Sequence, residues 1–523
     1  MPWLRMVVAA FILPVLVSCT VVRPSATFSE PPIVRSERGV AVLKLSARID
    51  PHRLGPSLWY FIPRAPFWIG DAPTIEVHPG DRIHIAYHNS LPPILSDDSH
   101  GLPDDTNLHF HGLTTSPNAP GDDVLGTVIA PLQRTTYDVR IARDQPPGLY
   151  WYHPHPHHET SWQVGNGMAG AIVVDGIEDV LPSLAGLRER VIVVRQVFLY
   201  PDRAETVTLN ARLCGLAHLT PKGRINFLRA HPELIHEDDE KLNTVVTLNG
   251  QTAGSINIGI APGERQLFRV INATPKRNLD LAVDGERLEL VAEDGVPLGY
   301  LPGSVPSKLV SDIVIPPGGR AEFVVTGSSQ PTVMRSLAFD SGPKGDPDPP
   351  FELATLVDDT GLPAASSDAR LPMPEAHLEA KLDYYRSPPS APVVRRIARL
   401  EESDDGKRFF INRKAFDPHD APMFVAKSGT VEEWVLENET QEVHTFHTHQ
   451  VHFIVESIGD QVVRPEQRHW LDTFDVPYKR GNVPGRVKIL VDFRDPVVRG
   501  TFVFHCHILD HEDNGMMAKI RVV

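Results

Sequence analysis

The chain has 523 residues, of which 41% are hydrophobic and 22% charged; this balance is typical of a soluble globular protein and excludes extended disorder. It carries 66 acidic and 51 basic side chains, a formal charge of −15 with histidine neutral, so a nucleic-acid-binding surface with clustered lysine and arginine is not expected. Its 49 prolines argue against long helices and favour short strands joined by turns, in several domains.

The N-terminal residues 1–19 are predicted to be an export signal. Arg5 precedes an apolar run, Met6 to Val17, that is too short to span a bilayer. The following tetrapeptide, Leu16 to Cys19, resembles the lipobox of bacterial lipoproteins, in which the cysteine becomes the acylated mature N-terminus. The alternative is an ordinary signal peptide that contains a cysteine. In both cases we expect an exported protein of the periplasm or cell envelope, attached to a membrane through Cys19 if that residue is lipidated.

An internal repeat is visible in three places along the chain. Each copy begins at a glycine in a turn and has an asparagine nine residues later; the pairs are Gly80 and Asn89, Gly263 and Asn272, and Gly429 and Asn438. The positions five and seven residues after the glycine are apolar in every copy, which is the spacing of a strand with one buried face. Because the copies are far apart, each is predicted to be a whole domain rather than a solenoid unit.

We therefore predict an all-β chain of three consecutive Greek-key β-sandwich domains. The expected domain boundaries are residues 40–176, 177–365 and 385–523.

Ten of the 24 histidines fall in four short motifs. These are His109-Phe110-His111, His153-Pro154-His155, His444 to His449, and His505-Cys506-His507 with His511. On a strand, residues i and i+2 point to the same face, so each His-x-His pair is a ready chelating pair. Two motifs belong to the first repeat and two to the third, so eight imidazoles converge if those domains touch. The middle repeat has no imidazole at the matching positions and is expected to be a spacer.

Cys506 lies between two of these histidines and must face the opposite side of its strand, where His444 and His511 can meet it. Two histidines, one cysteine and a weak axial methionine are the ligand set of a blue-copper centre. Met516 is the axial candidate.

The four motifs resemble the copper motifs of the multicopper oxidases, and the resemblance covers essentially the whole mature chain. It rests on Thr106 to Gly112, Trp151 to His155, His444 to His449, and His505 to Met516. Two positions depart from the family pattern without replacing a ligand: Gln450, where glycine is usual, and Thr445, where proline is common. The resemblance implies three cupredoxin domains, with electrons accepted singly at a type 1 copper and dioxygen reduced to water at a trinuclear cluster between domains one and three.

The resemblance also implies a role for each motif residue, with four copper ions in all. It places the type 1 copper on His444, Cys506 and His511, with Met516 axial. It places the type 2 copper on His109 and His447, and the type 3 pair on His111, His153, His155, His449, His505 and His507. For the proton relay that dioxygen reduction requires, Asp122 and Glu512 are the candidates, and Asp123 could equally replace Asp122.

Three functions remain open from the sequence. A laccase-like oxidase of phenolic or other organic donors is the first. An oxidase of Cu(I) or Fe(II) is the second, although a chain with 8 methionines has no methionine-rich segment to gather Cu(I). A non-catalytic copper-binding scaffold is the third, but such a protein would be expected to have lost ligands. We expect dioxygen and a small reducing substrate as partners, no nucleic acid, and a monomer.

Overall fold

A computed structural model of the protein describes residues 26–50, 56–62, 67–70, 72–91, 105–199, 243–359, 384–387, 389 and 391–523. Six sheets pack in pairs around three separate cores and form three β-sandwiches along the chain. The predicted all-β class with three cupredoxin-like Greek-key sandwiches is confirmed. The predicted export signal with Cys19 lies outside the described residues.

The first sandwich buries its core between two five-stranded sheets. One sheet has the spatial order Ile33–Arg35, Thr74–Val77, Gly170–Val174, Gly148–His153 and His109–His111. The other has the order Phe67–Ile69, Pro56–Ile62, Val40–Ile49, Arg82–Asn89 and Arg134–Arg140. Two histidine motifs meet at one edge of the first of these sheets, where His153 pairs with His109 across antiparallel strands.

The middle sandwich carries none of the four histidine motifs. Its six-stranded sheet has the order Ala26–Thr27, Ile256–Gly259, Phe351–Val357, Thr332–Leu337, Leu279–Val283 and Asp312–Ile315. Its eight-stranded sheet has the order Gln251–Thr252, Asn243–Leu248, Arg188–Leu199, Arg265–Ala273, Arg320–Thr326, Leu288–Glu293 and Val296–Pro297, with Lys308–Val310 beside Leu288–Glu293. The first strand among the described residues, Ala26–Thr27, therefore pairs with this sandwich rather than with the first.

The third sandwich carries the other two histidine motifs. Its seven-stranded sheet has the order Phe409–Ile411, Val394–Glu402, Thr430–Asn438, Gly485–Phe493, Phe453–Ile458 and Gln461–Val462, with Trp470–Leu471 beside Phe453–Ile458. Its five-stranded sheet has the order Phe424–Ala426, Met517–Val522, Gly500–Cys506, His444–Thr448 and Thr473–Val476. The two motif strands are neighbours, and His447 pairs with His505.

Helices are few and short in the described part of the chain. The α-helices are Thr160–Gly165, Ile177–Val180 and Leu509–Asp513, and the 3-10 turns are Pro182–Leu184, Leu298–Tyr300, Pro465–Gln467 and Pro496–Val498. None of the helices among the described residues has the length and apolar character needed to cross a membrane.

The repeated asparagine has the same structural role in all three sandwiches. Asn89, Asn272 and Asn438 are fully buried at the ends of equivalent strands. Each Oδ1 accepts the backbone N–H two residues on, at 2.9 to 3.1 Å, and each Nδ2 donates to the carbonyl oxygen of a distant residue. Those acceptors are Ile129, Ile315 and Val476. The asparagine recurs because one buried side chain closes the strand end and ties it to a later segment.

Candidate metal centres

Histidines of the first and third sandwiches meet in one buried cluster. The Nε2 atoms of His155 and His449 lie 3.3 and 3.2 Å from Nε2 of His505. Two stacked ring pairs join the sandwiches further: His109 on His449 at 3.6 Å between centroids, and His111 on His447 at 3.8 Å. The rings of His153 and His507 are 5.7 Å apart in the same cluster. All eight imidazoles expected to converge are therefore in one place.

Many ring nitrogens of this cluster are buried and have no hydrogen-bond partner among the described residues. They are Nε2 of His109, His153 and His447, Nδ1 of His111, His155 and His449, and both ring nitrogens of His507. A buried polar atom without a hydrogen-bond partner costs free energy. The presence of many such nitrogens in one place therefore indicates that they share a common partner, such as a metal ion.

Burial also determines the charge of these imidazoles. It lowers the pKa of His153 to about 3. It also lowers the pKa values of six other cluster histidines below their ordinary range: His109, His111, His155, His447, His449 and His507. Neutral imidazole is the form that binds a metal ion.

The spacing of the nitrogens fits a metal ion. With metal–nitrogen bonds of about 2.0 Å, two imidazole nitrogens on one ion lie roughly 3.3–3.5 Å apart. The separations of 3.2 and 3.3 Å around His505 Nε2 are close to this value. Imidazole is a good ligand for copper, so the residues present fit the metal that the motifs imply.

A second group of donors lies directly behind the cluster. Cys506 Sγ is 3.6 Å from Nδ1 of His444 and 3.8 Å from Nδ1 of His511, and these two nitrogens are 3.1 Å apart. Burial raises the pKa of the Cys506 thiol, so metal binding has to displace its proton. Cysteine with two histidines suits a blue-copper site.

Neighbouring residues hold this second group. Thr440 Oγ1 lies 2.9 Å from Nε2 of His444, and the ring of Phe409 stacks on His511 at 4.0 Å. Met516 is fully buried in the same core as Cys506, and its carbonyl oxygen accepts the Cys506 N–H at 3.0 Å, so the two residues are neighbours in the fold. His511 is 9% exposed whereas His444 and Cys506 are fully buried, so His511 is the member nearest to solvent.

Asp122 contacts the cluster and Asp123 faces away from it. Asp122 Oδ2 lies 2.9 Å from Nδ1 of His109, and its Oδ1 accepts the N–H of Phe110 at 3.0 Å. Burial raises the pKa of Asp122 to about 8. Asp123 is partly exposed and accepts the N–H of Gly126 at 2.8 Å. Of the two adjacent acids, Asp122 has the geometry to exchange a proton with the cluster surroundings.

Gln450, where the sequence departs from the family pattern, contacts the same carboxylate. Its backbone φ of 58° lies in the left-handed region that favours glycine, which explains why glycine is usual there. Its side-chain amide donates a hydrogen bond to Asp122 Oδ2.

Glu512 contacts the opposite side of the cluster. Its Oε2 lies 3.0 Å from Nδ1 of His505, and its Oε1 accepts a hydrogen bond from Thr160 Oγ1 at 2.9 Å. It is 1% exposed, on the short helix Leu509–Asp513. Both candidate acids thus touch a cluster histidine.

A third carboxylate, Asp472, also contacts the cluster and was not predicted from the sequence. Its Oδ1 lies 3.1 Å from Nε2 of His111, and its carbonyl oxygen lies 2.9 Å from Nδ1 of His447. Arg320 of the middle sandwich donates two hydrogen bonds to this carboxylate, at 2.7 and 2.6 Å. The middle sandwich, expected to be a spacer, therefore reaches the surroundings of the cluster. Neither Asp472 nor Arg320 was predicted, because a single charged residue beside an apolar strand forms no recognisable sequence pattern.

Comparison with known proteins gives one consistent result. Residues 71–179, 229–359 and 386–523 match three family models, each described as multicopper oxidase. A multicopper oxidase of Staphylococcus haemolyticus is 26% identical over 457 residues, which cover 86% of this chain and 81% of the relative. A laccase of Haloferax volcanii is 28% identical over 522 residues, covering 91% of this chain and 80% of the relative.

A solved structure supports the same fold. The multicopper oxidase from Campylobacter jejuni, described as a metallo-oxidase, superposes with a TM-score of 0.65 at 23% identity, covering 96% of each chain. Together with the three matched segments, these similarities establish that the chain belongs to the multicopper oxidase family and is a copper-dependent oxidoreductase with dioxygen as electron acceptor.

Proposed function

We propose that the chain binds four copper ions. His444, Cys506 and His511 would hold a type 1 ion, with Met516 as its weak fourth ligand. His109 and His447 would hold a type 2 ion. A type 3 pair would be held by His111, His153, His155, His449, His505 and His507. The observation that carries this proposal is the convergence of eight imidazoles from two sandwiches in one buried space, where many of their ring nitrogens have no hydrogen-bond partner among the described residues.

Copper bound at these positions would supply one-electron transfer at the thiolate site and the four-electron reduction of dioxygen to water at the three-ion site. The chain itself supplies the connection between them. Cys506 is covalently linked to His505 and His507, which face the cluster, so the backbone joins the two sites over a few bonds. His511 presents the more exposed edge of the thiolate site, so the reducing substrate is expected to donate electrons there.

Asp122 and Glu512 are the proposed proton carriers. Each is buried and contacts the Nδ1 atom of a different cluster histidine, His109 for Asp122 and His505 for Glu512. A carboxyl group held against the reaction site can accept and return protons as dioxygen is reduced. Glu512→Gln should slow oxygen consumption while the blue absorbance of the Cys506 site remains; an unchanged rate would remove Glu512 from the relay.

The reducing substrate is proposed to be a phenolic or other organic donor, as the laccase name of the Haloferax volcanii relative suggests. One observation favours the alternative, a metal-ion substrate such as Cu(I) or Fe(II). Glu442 Oε1 lies 3.6 Å from Nε2 of His511 and 3.9 Å from Nε2 of His444, so a carboxyl group adjoins the exposed edge of the thiolate site. A non-catalytic scaffold is disfavoured because every ligand position holds a competent residue.

We further propose that the protein is exported to the periplasm or cell envelope as a monomer, with lipid on Cys19 as the means of attachment. Export and attachment through Cys19 are proposed from the N-terminal sequence alone.

The deciding experiment is copper reconstitution of the purified protein. Four copper ions per chain, an intense thiolate-to-copper absorbance and oxygen uptake with a phenol are expected. Oxygen uptake with Cu(I) or Fe(II), but not with the phenol, would favour the alternative function, a metal-ion oxidase. Copper binding without oxygen uptake from any donor would favour the scaffold, and fewer than four ions in an active protein would overturn the site assignment.

A further inference from the structure

We propose that the middle sandwich helps to build the oxygen-reducing site: Arg320 and Asp294 are positioning residues that hold Asp472 in place, and Asp472 in turn orients His111 and His447 toward the metal. This inference rests on the proposed copper sites, since it concerns how two of their ligands are aligned.

Asp472 contacts both His111 and His447 directly. Its carboxylate accepts from Nε2 of His111 at 3.1 Å, and its carbonyl oxygen accepts from Nδ1 of His447 at 2.9 Å. These bonds engage one nitrogen of each ring and leave the other, Nδ1 of His111 and Nε2 of His447, buried and free to bind a metal. An outer hydrogen bond of this kind sets both the tautomer and the orientation of a ligating imidazole.

Two residues of the middle sandwich, Arg320 and Asp294, hold Asp472 through hydrogen bonds. The two terminal nitrogens of Arg320 donate to the two carboxylate oxygens at 2.7 and 2.6 Å, a bidentate pairing that fixes direction as well as distance. Asp294 Oδ2 accepts the backbone N–H groups of Asp472 and Thr473 at 3.1 and 3.0 Å. Asp294 Oδ1 accepts the N–H of Arg320 at 3.0 Å. The carboxylate and the backbone of Asp472 are thus both held from one neighbouring sandwich.

Arg320 also contacts the first sandwich. Its Nε donates to the carbonyl oxygen of Leu149 at 3.2 Å, on the strand Gly148–His153 that leads to two cluster histidines. One fully buried guanidinium therefore links all three sandwiches next to the cluster. Such a position suits arginine because a buried charge is tolerated when it is paired and its donors are satisfied.

Two glycines allow the middle sandwich to approach the histidine cluster closely. Gly112, directly after His111, has a φ of +84°, and a Cβ there would lie 2.3 Å from Nη2 of Arg320. Gly318, two residues before Arg320, also has a φ of +84°, and a Cβ there would lie 2.7 Å from the ring of His507. A larger residue at Gly112 would displace the Arg320 guanidinium, and one at Gly318 would displace the ring of His507.

The test compares Arg320→Gln with Arg269→Gln in the full chain. Arg269 is equally buried in the adjacent strand and pairs with Glu189 and Glu322, so its loss reports on a buried ion pair that does not touch Asp472. For Arg320→Gln we expect copper affinity at the three-ion site to fall about 10–100-fold, with an altered type 2 electron paramagnetic resonance signal and an unchanged blue absorbance. Arg269→Gln is expected to lower the melting temperature but to keep the wild-type copper signals.

Two further variants cover the case in which Arg320→Gln does not fold. Arg320→Lys keeps the charge without the bidentate geometry, and Asp294→Asn removes the charge but keeps one acceptor oxygen; both should give the same spectroscopic change in a milder form. Wild-type copper affinity and resonance parameters in the folded Arg320 and Asp294 variants would overturn the inference. Failure of the wild-type protein itself to bind the three-ion set would instead overturn the proposed function.

Discussion

His155 and His505 present their Nε2 atoms to each other at 3.3 Å, although they are 350 residues apart in the chain and belong to different sandwiches. His449 completes the group, with its Nε2 atom 3.2 Å from the same nitrogen of His505. Neither outer sandwich contains all three nitrogens, so this candidate metal site forms only where the two are docked together.

Replacing His155 by glutamine should remove one member of this group. We expect the variant to lose copper from the three-ion site and to consume oxygen at least about 100-fold more slowly, because ligand geometry controls metal retention. The blue absorbance should persist, since His155 is not one of the donors grouped with Cys506, which are His444 and His511. His84→Gln is a matched control, because His84 is a partly exposed histidine on another strand of the first sandwich. Full copper content in His155→Gln would contradict the assignment.

Cys506→Ser should abolish the blue absorbance, because a hydroxyl does not replace a thiolate as a copper ligand. His505 and His507 are unchanged in this variant, so copper at the three-ion site should remain, with one ion fewer per chain. Metal analysis and visible spectroscopy on the same sample check both statements. Retained absorbance would show that the thiolate site lies elsewhere.

Asp122→Asn should slow oxygen consumption by roughly 100-fold, the range expected when one proton carrier is lost, while copper content stays close to wild type. Asp123→Asn should have little effect, because Asp123 bonds to Gly126 N–H and is partly exposed. Steady-state oxygen uptake of the two variants at equal copper loading distinguishes them. The reverse order of effects would identify Asp123 as the relay acid.

The stability of the copper-free protein should depend on pH through His452, which burial holds at a pKa of about 4. The unfolded chain takes up a proton on this residue below about pH 6.5, whereas the folded chain does so only near pH 4, so the folded state loses stability as pH falls between these values. Relative to His452→Gln, the wild type should lose about 2 kcal/mol of unfolding free energy between pH 6.5 and 4.5.

Denaturant unfolding of both copper-free proteins at several pH values measures this difference. Glutamine keeps a polar group near Tyr385, the hydroxyl partner of His452 at 2.9 Å, so the comparison isolates the titration. A difference in unfolding free energy that stays constant over this pH range would show that His452 is protonated normally in the folded state.

The residue pattern was sufficient to predict the sandwiches and the donors. Alternation on strands, the recurring Asn89, Asn272 and Asn438, and the His-x-His pairs are local features, because side-chain direction on a strand depends on neighbouring residues alone. The same local rule predicts that Cys506 faces away from His505 and His507. The all-β fold followed from these features, whereas the meeting of the eight imidazoles was predicted only on the condition that the first and third sandwiches touch.

Tertiary packing decided what surrounds those donors. Which nitrogens of His155, His449 and His505 face each other, whether Asp122 or Asp123 touches a histidine, and which carboxylate Arg320 holds are all relations between segments that fold apart and then dock. A lone aspartate or arginine has no periodicity to reveal it, and its partner is selected by the fit of two buried surfaces rather than by spacing along the chain. The amino-acid order therefore determined the candidate metal ligands, and the docking of the three sandwiches determined how they are held.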